Sequence, residues 1–190
     1  MWTQITVAFL LLNMIGANVE NNRTAERHTR GINCPRGWSS FKGHCYIVPY
    51  MMGDWEAAKT HCWALRGYLV EITSSKENDF VGKLLLKATP KKSHVSRRDL
   101  CDAPEYFARR AWIGLTDRER ESSFKWSRCG QRERYTNFRD HQPDNYKSVE
   151  HCVEIYNGAY CYPNWSYKWN DESCDSFRAF VCERDFRATP

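Results

Sequence analysis

Nine cysteines in 190 residues constrain this chain more than any other feature. Structural zinc sites usually contain closely spaced cysteine pairs, and the sequence has no Cys-x-x-Cys pair. Neighbouring side chains of a strand point to opposite faces, so His151 and Cys152 would chelate a metal poorly. The cysteines therefore predict a disulfide-bonded domain made in an oxidising compartment. Because their number is odd, at least one thiol is free or bonded to another chain.

The N-terminus has the pattern of an export signal. Ile5 to Ile15 are mostly apolar, and the small residues Gly16 and Ala17 follow, as at a cleavage site. This run is too short to cross a bilayer as a helix, which takes about 20 residues. We expect a signal peptide at 1–17, a short polar segment at 18–33 and a secreted chain with no membrane span. No Lys or Arg precedes the run, so a membrane anchor is the alternative.

Composition and motifs exclude several classes of function. Apolar residues make up 42% of the chain and charged residues 27%, which indicates a packed globular domain. The net charge of +5 is too small to indicate nucleic-acid binding without a basic stripe on one element. Neither Gly-x-Ser-x-Gly nor His-Glu-x-x-His occurs. We therefore expect a binding domain and no enzyme.

Hydrophobic patterning predicts an α+β domain in which two helices precede a run of strands. Asp54 is the predicted N-cap of the first helix, and Gly67 its left-handed stop. Ser74 and Glu77 form a predicted capping box for a second helix that buries Phe80, Val81, Leu84 and Leu85. A hairpin is expected within 37–50, and strands at 69–72, 111–115, 124–126, 152–156 and 179–182.

Two segments are predicted to be loops. Residues 89–105 contain two prolines and the basic side chains Lys91, Lys92, Arg97 and Arg98, and we expect a solvated insert there; contact with sulfated glycans is the alternative. Residues 128–150 are polar and irregular. A long loop within a compact domain is usually functional, so candidate site residues are sought in the second segment.

A series of short motifs extends from Cys34 to about Glu183: Cys34 with Trp38, Cys45, Trp55, Cys62, Trp112 to Leu115, Gln142-Pro143-Asp144, Glu150 with Cys152, Trp169-Asn170-Asp171, Cys174, and Phe180 to Cys182. In their order and spacing, these motifs resemble the C-type lectin family. Among members, the chain is most similar to small soluble invertebrate lectins, including perlucin-like ones. The resemblance implies a C-type lectin domain at 34–183, with two helices, antiparallel sheets and a long calcium-binding loop, and a tail at 184–190.

The resemblance also implies three disulfides: Cys34–Cys45, Cys62–Cys182 and Cys152–Cys174. The second closes the longest loop, and in the chain-entropy model a loop of about 120 residues is worth about 4–5 kcal/mol. Three further cysteines lie outside this set. A Cys101–Cys129 bridge with Cys161 left over is one of their three pairings.

The family pattern implies a calcium site whose ligands all carry side-chain oxygens. Calcium prefers six to eight oxygen ligands. Family members have a cis proline at the position of Pro143, which turns its two neighbours toward the same point. Three of the implied ligands carry a charge. The implied ligands are Gln142, Asp144, Glu150, Asn170 and Asp171.

Sugar binding is expected at the same five residues. Two vicinal sugar hydroxyls would complete the calcium coordination shell, and each hydroxyl can donate a hydrogen bond to a carboxylate ligand and accept one from an amide ligand. In the family, Gln-Pro-Asp accompanies galactose and N-acetylgalactosamine, whereas Glu-Pro-Asn accompanies mannose. Tyr146 is a candidate to stack on the apolar side of galactose. The loop lacks the glycine-rich insertion that positions the ring in some galactose binders.

The resemblance also implies a second calcium site. Candidate ligands of a second calcium are Asp117, Glu121, Asn145 and Glu150; here His151 replaces an acid often present, and a solvated turn is the alternative. Asn22 and Asn164 each begin an Asn-x-Ser/Thr glycosylation acceptor.

The expected function is that of a secreted calcium-dependent lectin that binds galactose-type glycans on cells or glycoproteins, in innate immune recognition. It would act alone or as a non-covalent or disulfide-linked oligomer. The alternatives are a structural protein of a mineral matrix, and a protein-binding or toxin-like domain that has lost sugar binding.

Overall fold

The computed structural model describes residues 34–88, 110–157 and 163–186. Cys34–Asp185 form one compact unit; the second unit is 1–33 with 186–190, of which only Phe186 is described. The described ranges contain two α-helices and nine strands, which confirms the α+β class. They are β1 (Ser39–Phe41), β2 (His44–Ile47), α1 (Trp55–Ala64), β3 (Tyr68–Leu69), α2 (Ser75–Ala88), β4 (Arg110–Thr116), β5 (Lys125–Trp126), β6 (Glu150–Tyr156), β7 (Trp169–Ser173), β8 (Ala179–Phe180) and β9 (Cys182–Asp185).

Helix α1 begins at the predicted cap, because the Asp54 carboxylate accepts a hydrogen bond from the Ala57 N–H at 2.7 Å. Its end differs from the prediction. The left-handed residue is Arg66, with φ 60°, and not Gly67. Gly67 is needed for a different reason: a Cβ at this position would collide with the carbonyl oxygen of Glu183 in β9. The close approach of two distant segments therefore requires this glycine.

Helix α2 has half of the predicted capping box. The Glu77 N–H donates to Ser74 Oγ at 3.3 Å, but the Glu77 carboxylate accepts from the Thr73 N–H at 2.9 Å. The predicted apolar face is also only half buried. Val81 and Leu85 are buried, whereas Phe80 and Leu84 are partly exposed. The other buried positions of this helix belong to two polar residues, Glu77 and Asn78, and to Gly82.

The strands form two sheets. One has the order β1-β2-β9-β3, and the other has the order β5-β4-β6-β7. The named neighbours pair antiparallel, and β8 adds a parallel pairing to β4. Two strand predictions are corrected: the segment 179–182 divides into β8 and β9, which belong to different sheets, and β7 had not been predicted as a strand.

The three implied disulfides are present: Cys34–Cys45, Cys62–Cys182 and Cys152–Cys174. The Cys101–Cys129 pairing is wrong, because Cys129 is a free, exposed thiol. Cys101 and Cys161 lie outside the described residues, as do the signal peptide, the polar segment, Asn22 and the basic insert.

Three fully buried tryptophans fix the core, and each indole N–H has a hydrogen-bond acceptor. Trp55 donates to the Ile113 carbonyl at 3.0 Å, and Trp112 to the Gly53 carbonyl at 3.1 Å. Trp169, at the start of β7, donates to Asn78 Oδ1 at 2.7 Å. A buried indole keeps its stabilising effect only when its N–H is paired, so each ring has one defined position. Trp169 thereby fixes the strand that continues into Asn170 and Asp171.

Glu183 of β9 is a buried acid and makes the stability of the fold depend on pH. Its side chain is 3% exposed and accepts hydrogen bonds from the Glu71 N–H at 2.9 Å and the Tyr68 hydroxyl at 3.1 Å, and His44 Nδ1 lies 2.8 Å from it. Burial raises the pKa of the Glu183 carboxyl from 4.5 to about 8. Between these values the folded state binds more protons than the unfolded state, so the free energy of unfolding falls as pH rises.

We expect Glu183→Gln to reduce this pH dependence. The substitution removes the titrating group and keeps the shape of the side chain. Melting temperatures measured between pH 5 and pH 8 should fall less steeply in the variant than in the unmodified protein. Glu119→Gln, at a residue 79% exposed, is the control and should leave the slope unchanged. If the melting temperature falls equally steeply with pH in Glu183→Gln and in the unmodified protein, Glu183 is not the source of the pH dependence.

Candidate metal centre

Three carboxylates from separate elements meet at one point. Asp144 lies in the loop before β6, Glu150 is the first residue of β6, and Asp171 is in β7. One oxygen from each lies within 4.8 Å of the other two. The antiparallel pairing of β6 with β7 accounts for part of this arrangement, because it places Val153 opposite Asp171 and Glu150 opposite Ser173. The fold therefore brings together three of the five predicted ligands.

Asp171 also fixes the loop that carries Asp144. Its carboxylate oxygens accept hydrogen bonds from the backbone N–H groups of Asp144 at 3.2 Å and of Asn145 at 2.7 Å. The side chain is 1% exposed. A buried carboxylate that accepts backbone N–H groups holds the attached backbone in place. The conformation of the loop thus depends on the same residue that contributes an oxygen to the cluster.

The cluster has an excess of negative charge. Burial is the largest cause that raises the pKa of Glu150 to about 7; the charges of Asp171, Glu172 and Asp144 act in the same direction, and a hydrogen bond from the Tyr146 N–H acts against them. Burial also raises the pKa of Asp171, with Asp144 contributing. Within the described ranges, no lysine or arginine forms an ion pair with Asp144, Glu150 or Asp171. A bound cation would relieve this repulsion.

Gln142 supplies a further oxygen. The Gln142–Pro143 peptide bond is cis, as the resemblance implies. Gln142 Oε1 is buried and has no hydrogen-bond partner among the described residues. Buried polar atoms almost always have a partner, so the unpartnered oxygen of Gln142, two positions before Asp144, is available as a ligand atom. Three carboxylates and an amide oxygen form the donor set of a hard cation, and the residues therefore fit calcium.

Asn170 is the predicted ligand that is engaged elsewhere. Its Oδ1 accepts two hydrogen bonds from the Arg139 guanidinium, at 3.0 Å and 2.8 Å. Its amide group donates to the backbone carbonyl of Asp171 and to Glu154 Oε1. As a calcium ligand Asn170 stays a prediction, and it requires the amide oxygen to exchange Arg139 for the ion. Sequence reasoning missed Arg139, because no local pattern links it to a residue 31 positions later.

A second cluster contains Asp117, Glu121 and His151, again with one ligand atom from each within 4.8 Å of the others. Asp117 and Glu121 are thus brought together, as predicted for a second cation. Asn145 touches this cluster, since its amide N–H donates to Glu121 Oε2 at 2.6 Å. Glu150, the fourth predicted member, belongs to the first cluster. His151 had been regarded only as a replacement for an acid, yet its Nδ1 lies 3.2 Å from Asp117 Oδ1.

The surface next to the first cluster is aromatic and exposed. Tyr146 opens a short 3₁₀ turn, Tyr146–Ser148, and is 60% exposed. Its backbone N–H donates to Glu150 Oε2 at 3.0 Å, which places the residue beside the carboxylates.

Asn164, in the 3₁₀ turn Pro163–Trp165, is exposed. None of the helices in the described ranges has the length and apolar character needed to cross a membrane.

Comparison with known proteins agrees with the fold. A family model described as the lectin C-type domain matches residues 52–184. A perlucin-like protein of Mytilus galloprovincialis is 27% identical over 155 residues, which cover 81% of this chain and 85% of the relative. The galactose-specific lectin nattectin of Thalassophryne nattereri is 28% identical over 172 residues, covering 90% and 88%.

Solved structures give the same result. The carbohydrate-recognition domain of the mouse scavenger receptor C-type lectin superposes with a TM-score of 0.62 at 30% identity, over 82% of this chain and 100% of that domain. The expected likeness to perlucin-like lectins is confirmed. Domains of this family are not enzymes and generally bind Ca²⁺. The chain belongs to the C-type lectin family, and it is a binding protein and not an enzyme.

Proposed function

We propose that this protein is a secreted, calcium-dependent lectin that binds galactose and N-acetylgalactosamine. The observation that carries the proposal is the cluster of Asp144, Glu150 and Asp171, together with the orphaned amide oxygen of Gln142. Nattectin, a relative named as galactose-specific, supports the sugar class. Glycans on cells or glycoproteins are the proposed partners, and innate immune recognition is the proposed setting.

The proposed chemistry uses the side chains in two ways. Their oxygens hold calcium, which supplies a Lewis-acidic point for two vicinal sugar hydroxyls. Asp144 and Glu150 would accept hydrogen bonds from those hydroxyls, whereas the amide NH₂ group of Gln142 would donate to them. Asn170 could donate in the same way only by giving up its present hydrogen bonds to Glu154 and to the Asp171 carbonyl. The order of acid and amide at positions 142 and 144 would then determine which sugars bind, according to the geometry of their hydroxyl pair. Tyr146 would cover the apolar side of the sugar.

The proposal includes the organisation of the chain. Residues 1–17 are proposed as a signal peptide and 18–33 as a polar lead, with the lectin domain at 34–183 and the tail at 184–190. The three disulfides support an oxidising compartment. Asn22 and Asn164 are proposed glycosylation sites, and exposure of Asn164 is compatible with that role. The free thiol of Cys129 is exposed and would permit a disulfide-linked oligomer.

Calcium removal is the direct test of this function. We expect excess chelator to abolish retention on immobilised galactose and to lower the melting temperature, because the ion binds only the folded state. Extracellular calcium modules bind at roughly 10⁻⁴–10⁻³ M, so millimolar calcium should restore both properties. Magnesium at the same concentration is the control and should not restore them. Retention that persists in chelator would refute the calcium mechanism.

The stacking role of Tyr146 can be tested separately. We expect Tyr146→Ala to weaken galactose binding by about 1 kcal/mol, the scale of a lost aromatic contact, with calcium affinity unchanged. Tyr50→Ala is the matched control, since Tyr50 is 80% exposed and lies before α1. Isothermal titration with galactose measures both variants. Equal affinities for Tyr146→Ala and the control would mean that the ring does not touch the sugar.

A further inference from the structure

We propose that the cluster of Asp117, Glu121 and His151 is a binding site for a borderline transition-metal ion of the zinc class. The proposal concerns residues outside the calcium cluster, and it does not depend on the sugar-binding function. It is carried by the donor atoms, by the distances between them and by the contacts that hold each side chain in place.

The donor atoms favour zinc over calcium. Calcium sites in proteins are built from oxygen ligands, whereas zinc is bound readily by imidazole nitrogen together with carboxylate oxygen. At positions 117 and 121 the donors are carboxylates, and at position 151 the donor is an imidazole nitrogen. Imidazole in a mixed set shifts the preference toward zinc, copper and nickel. His151 therefore changes the kind of ion that suits this cluster.

The distances agree with this assignment. His151 Nδ1 lies 3.2 Å from Asp117 Oδ1 and 3.5 Å from Glu121 Oε2. Tetrahedral zinc has bonds of about 2.0–2.1 Å, which places its ligand atoms about 3.3–3.4 Å from one another. Both nitrogen-to-oxygen distances are close to this spacing, and one ligand atom from each of the three residues lies within 4.8 Å of the others, so an ion could bind with small side-chain movements. The protein would supply three ligands and leave further positions to water.

Neighbouring groups hold the ligands in position. Asp117 is 2% exposed, and its second oxygen accepts a hydrogen bond from the Ser122 N–H at 2.8 Å. The Glu121 carboxylate accepts from the Asn145 amide at 2.6 Å. Such contacts orient metal ligands and commonly change metal affinity 10–100-fold when they are removed. Among the described residues, His151 is the only ion-pair partner of the buried Asp117 carboxylate.

The same distances also permit a simple hydrogen-bonded ion pair between His151 and Asp117, so the experiment must separate the two. The full chain is alkylated at its free thiols, because Cys129 could bind zinc, and is kept in millimolar calcium to saturate the first cluster. Zinc is then titrated in a calorimeter. We expect one zinc ion to bind and excess calcium to fail to displace it. Cobalt(II) at the same stoichiometry should give the strong visible absorption of tetrahedral coordination.

Two variants locate the site. His151→Gln should weaken zinc binding by at least about tenfold. His44→Gln is the matched control, because His44 also lies near two carboxylates, Glu183 at 2.8 Å and Asp185 at 3.3 Å, and it should leave zinc binding unchanged. Unaltered zinc binding in His151→Gln, equal loss in both variants, or no binding by the unmodified chain would overturn the proposal. Galactose retention by the same samples tests the lectin function separately.

Discussion

Replacement of Asp171 by asparagine is expected to abolish calcium-dependent galactose binding. The carboxylate contributes an oxygen to the cluster and also accepts the backbone N–H groups of Asp144 and Asn145. Asparagine has one acceptor oxygen and no charge, so it cannot perform both tasks. We expect calcium affinity to fall by at least about 100-fold, since loss of a supporting contact alone can cost that much. The calcium-induced rise in melting temperature should disappear with it.

The control for this experiment is Asp175→Asn. Asp175 is exposed and lies four positions after Asp171, outside the cluster. Asp175→Asn is the same chemical change as Asp171→Asn, and this variant should keep full calcium and galactose affinity. Calorimetric titration of both variants with calcium, followed by retention on immobilised galactose, gives the comparison. If Asp171→Asn still binds galactose in a calcium-dependent manner, the three-carboxylate cluster is not the sugar site.

The second large effect concerns sugar preference. We expect the double substitution Gln142→Glu with Asp144→Asn to change the preference from galactose toward mannose. The exchange keeps one acid and one amide on either side of Pro143, so the net charge and the number of ligand oxygens do not change. Only the direction of hydrogen bonding at the two positions is reversed. A site that hydrogen-bonds particular hydroxyls discriminates strongly against sugars that present them differently.

Competition by free galactose and free mannose for the immobilised sugar measures this preference. Asp140→Asn, at an exposed residue of the same loop, is the control and should retain the galactose preference. Calcium affinity of the double variant should stay close to that of the unmodified protein. A double variant that binds calcium normally and still prefers galactose would show that hydroxyl geometry at positions 142 and 144 does not select the sugar.

Features that depend on local sequence were predicted well. The cap at Asp54 and the hydrogen bond between Ser74 and Glu77 each involve residues close in the chain. The cis bond before Pro143 was implied by the family resemblance. The three disulfides were implied by motif order rather than by local chemistry. By contrast, Gly67 was assigned to a helix stop, although the constraint on it comes from β9, more than 100 residues away. Such long-range contacts leave no periodic signal.

The same distinction applies to the sites. The acids of the first cluster stand in recognisable motifs, so their convergence could be anticipated. The hydrogen bonds from Arg139 to Asn170 and the approach of His151 to Asp117 could not, because each joins positions more than 30 residues apart. The buried acid Glu183 was also missed, since a charged residue in a strand pattern usually faces solvent. The motifs therefore do not indicate the contact of Arg139 with Asn170, the contact of His151 with Asp117, or the burial of Glu183.

The Cys62–Cys182 disulfide has a mechanical consequence. The shortest covalent path from Cys34 to Cys182 crosses the Cys34–Cys45 bridge, follows the chain from 45 to 62, and crosses the Cys62–Cys182 bridge. Tension applied at the two ends of the domain can therefore stretch the 17-residue segment of this path to a total length of at most about 60 Å. Every candidate ligand, from Asp117 to Asp171, lies in the segment that this path bypasses. A molecule tethered at one end and pulled at the other would keep its binding loop free of load as long as the bridge is intact.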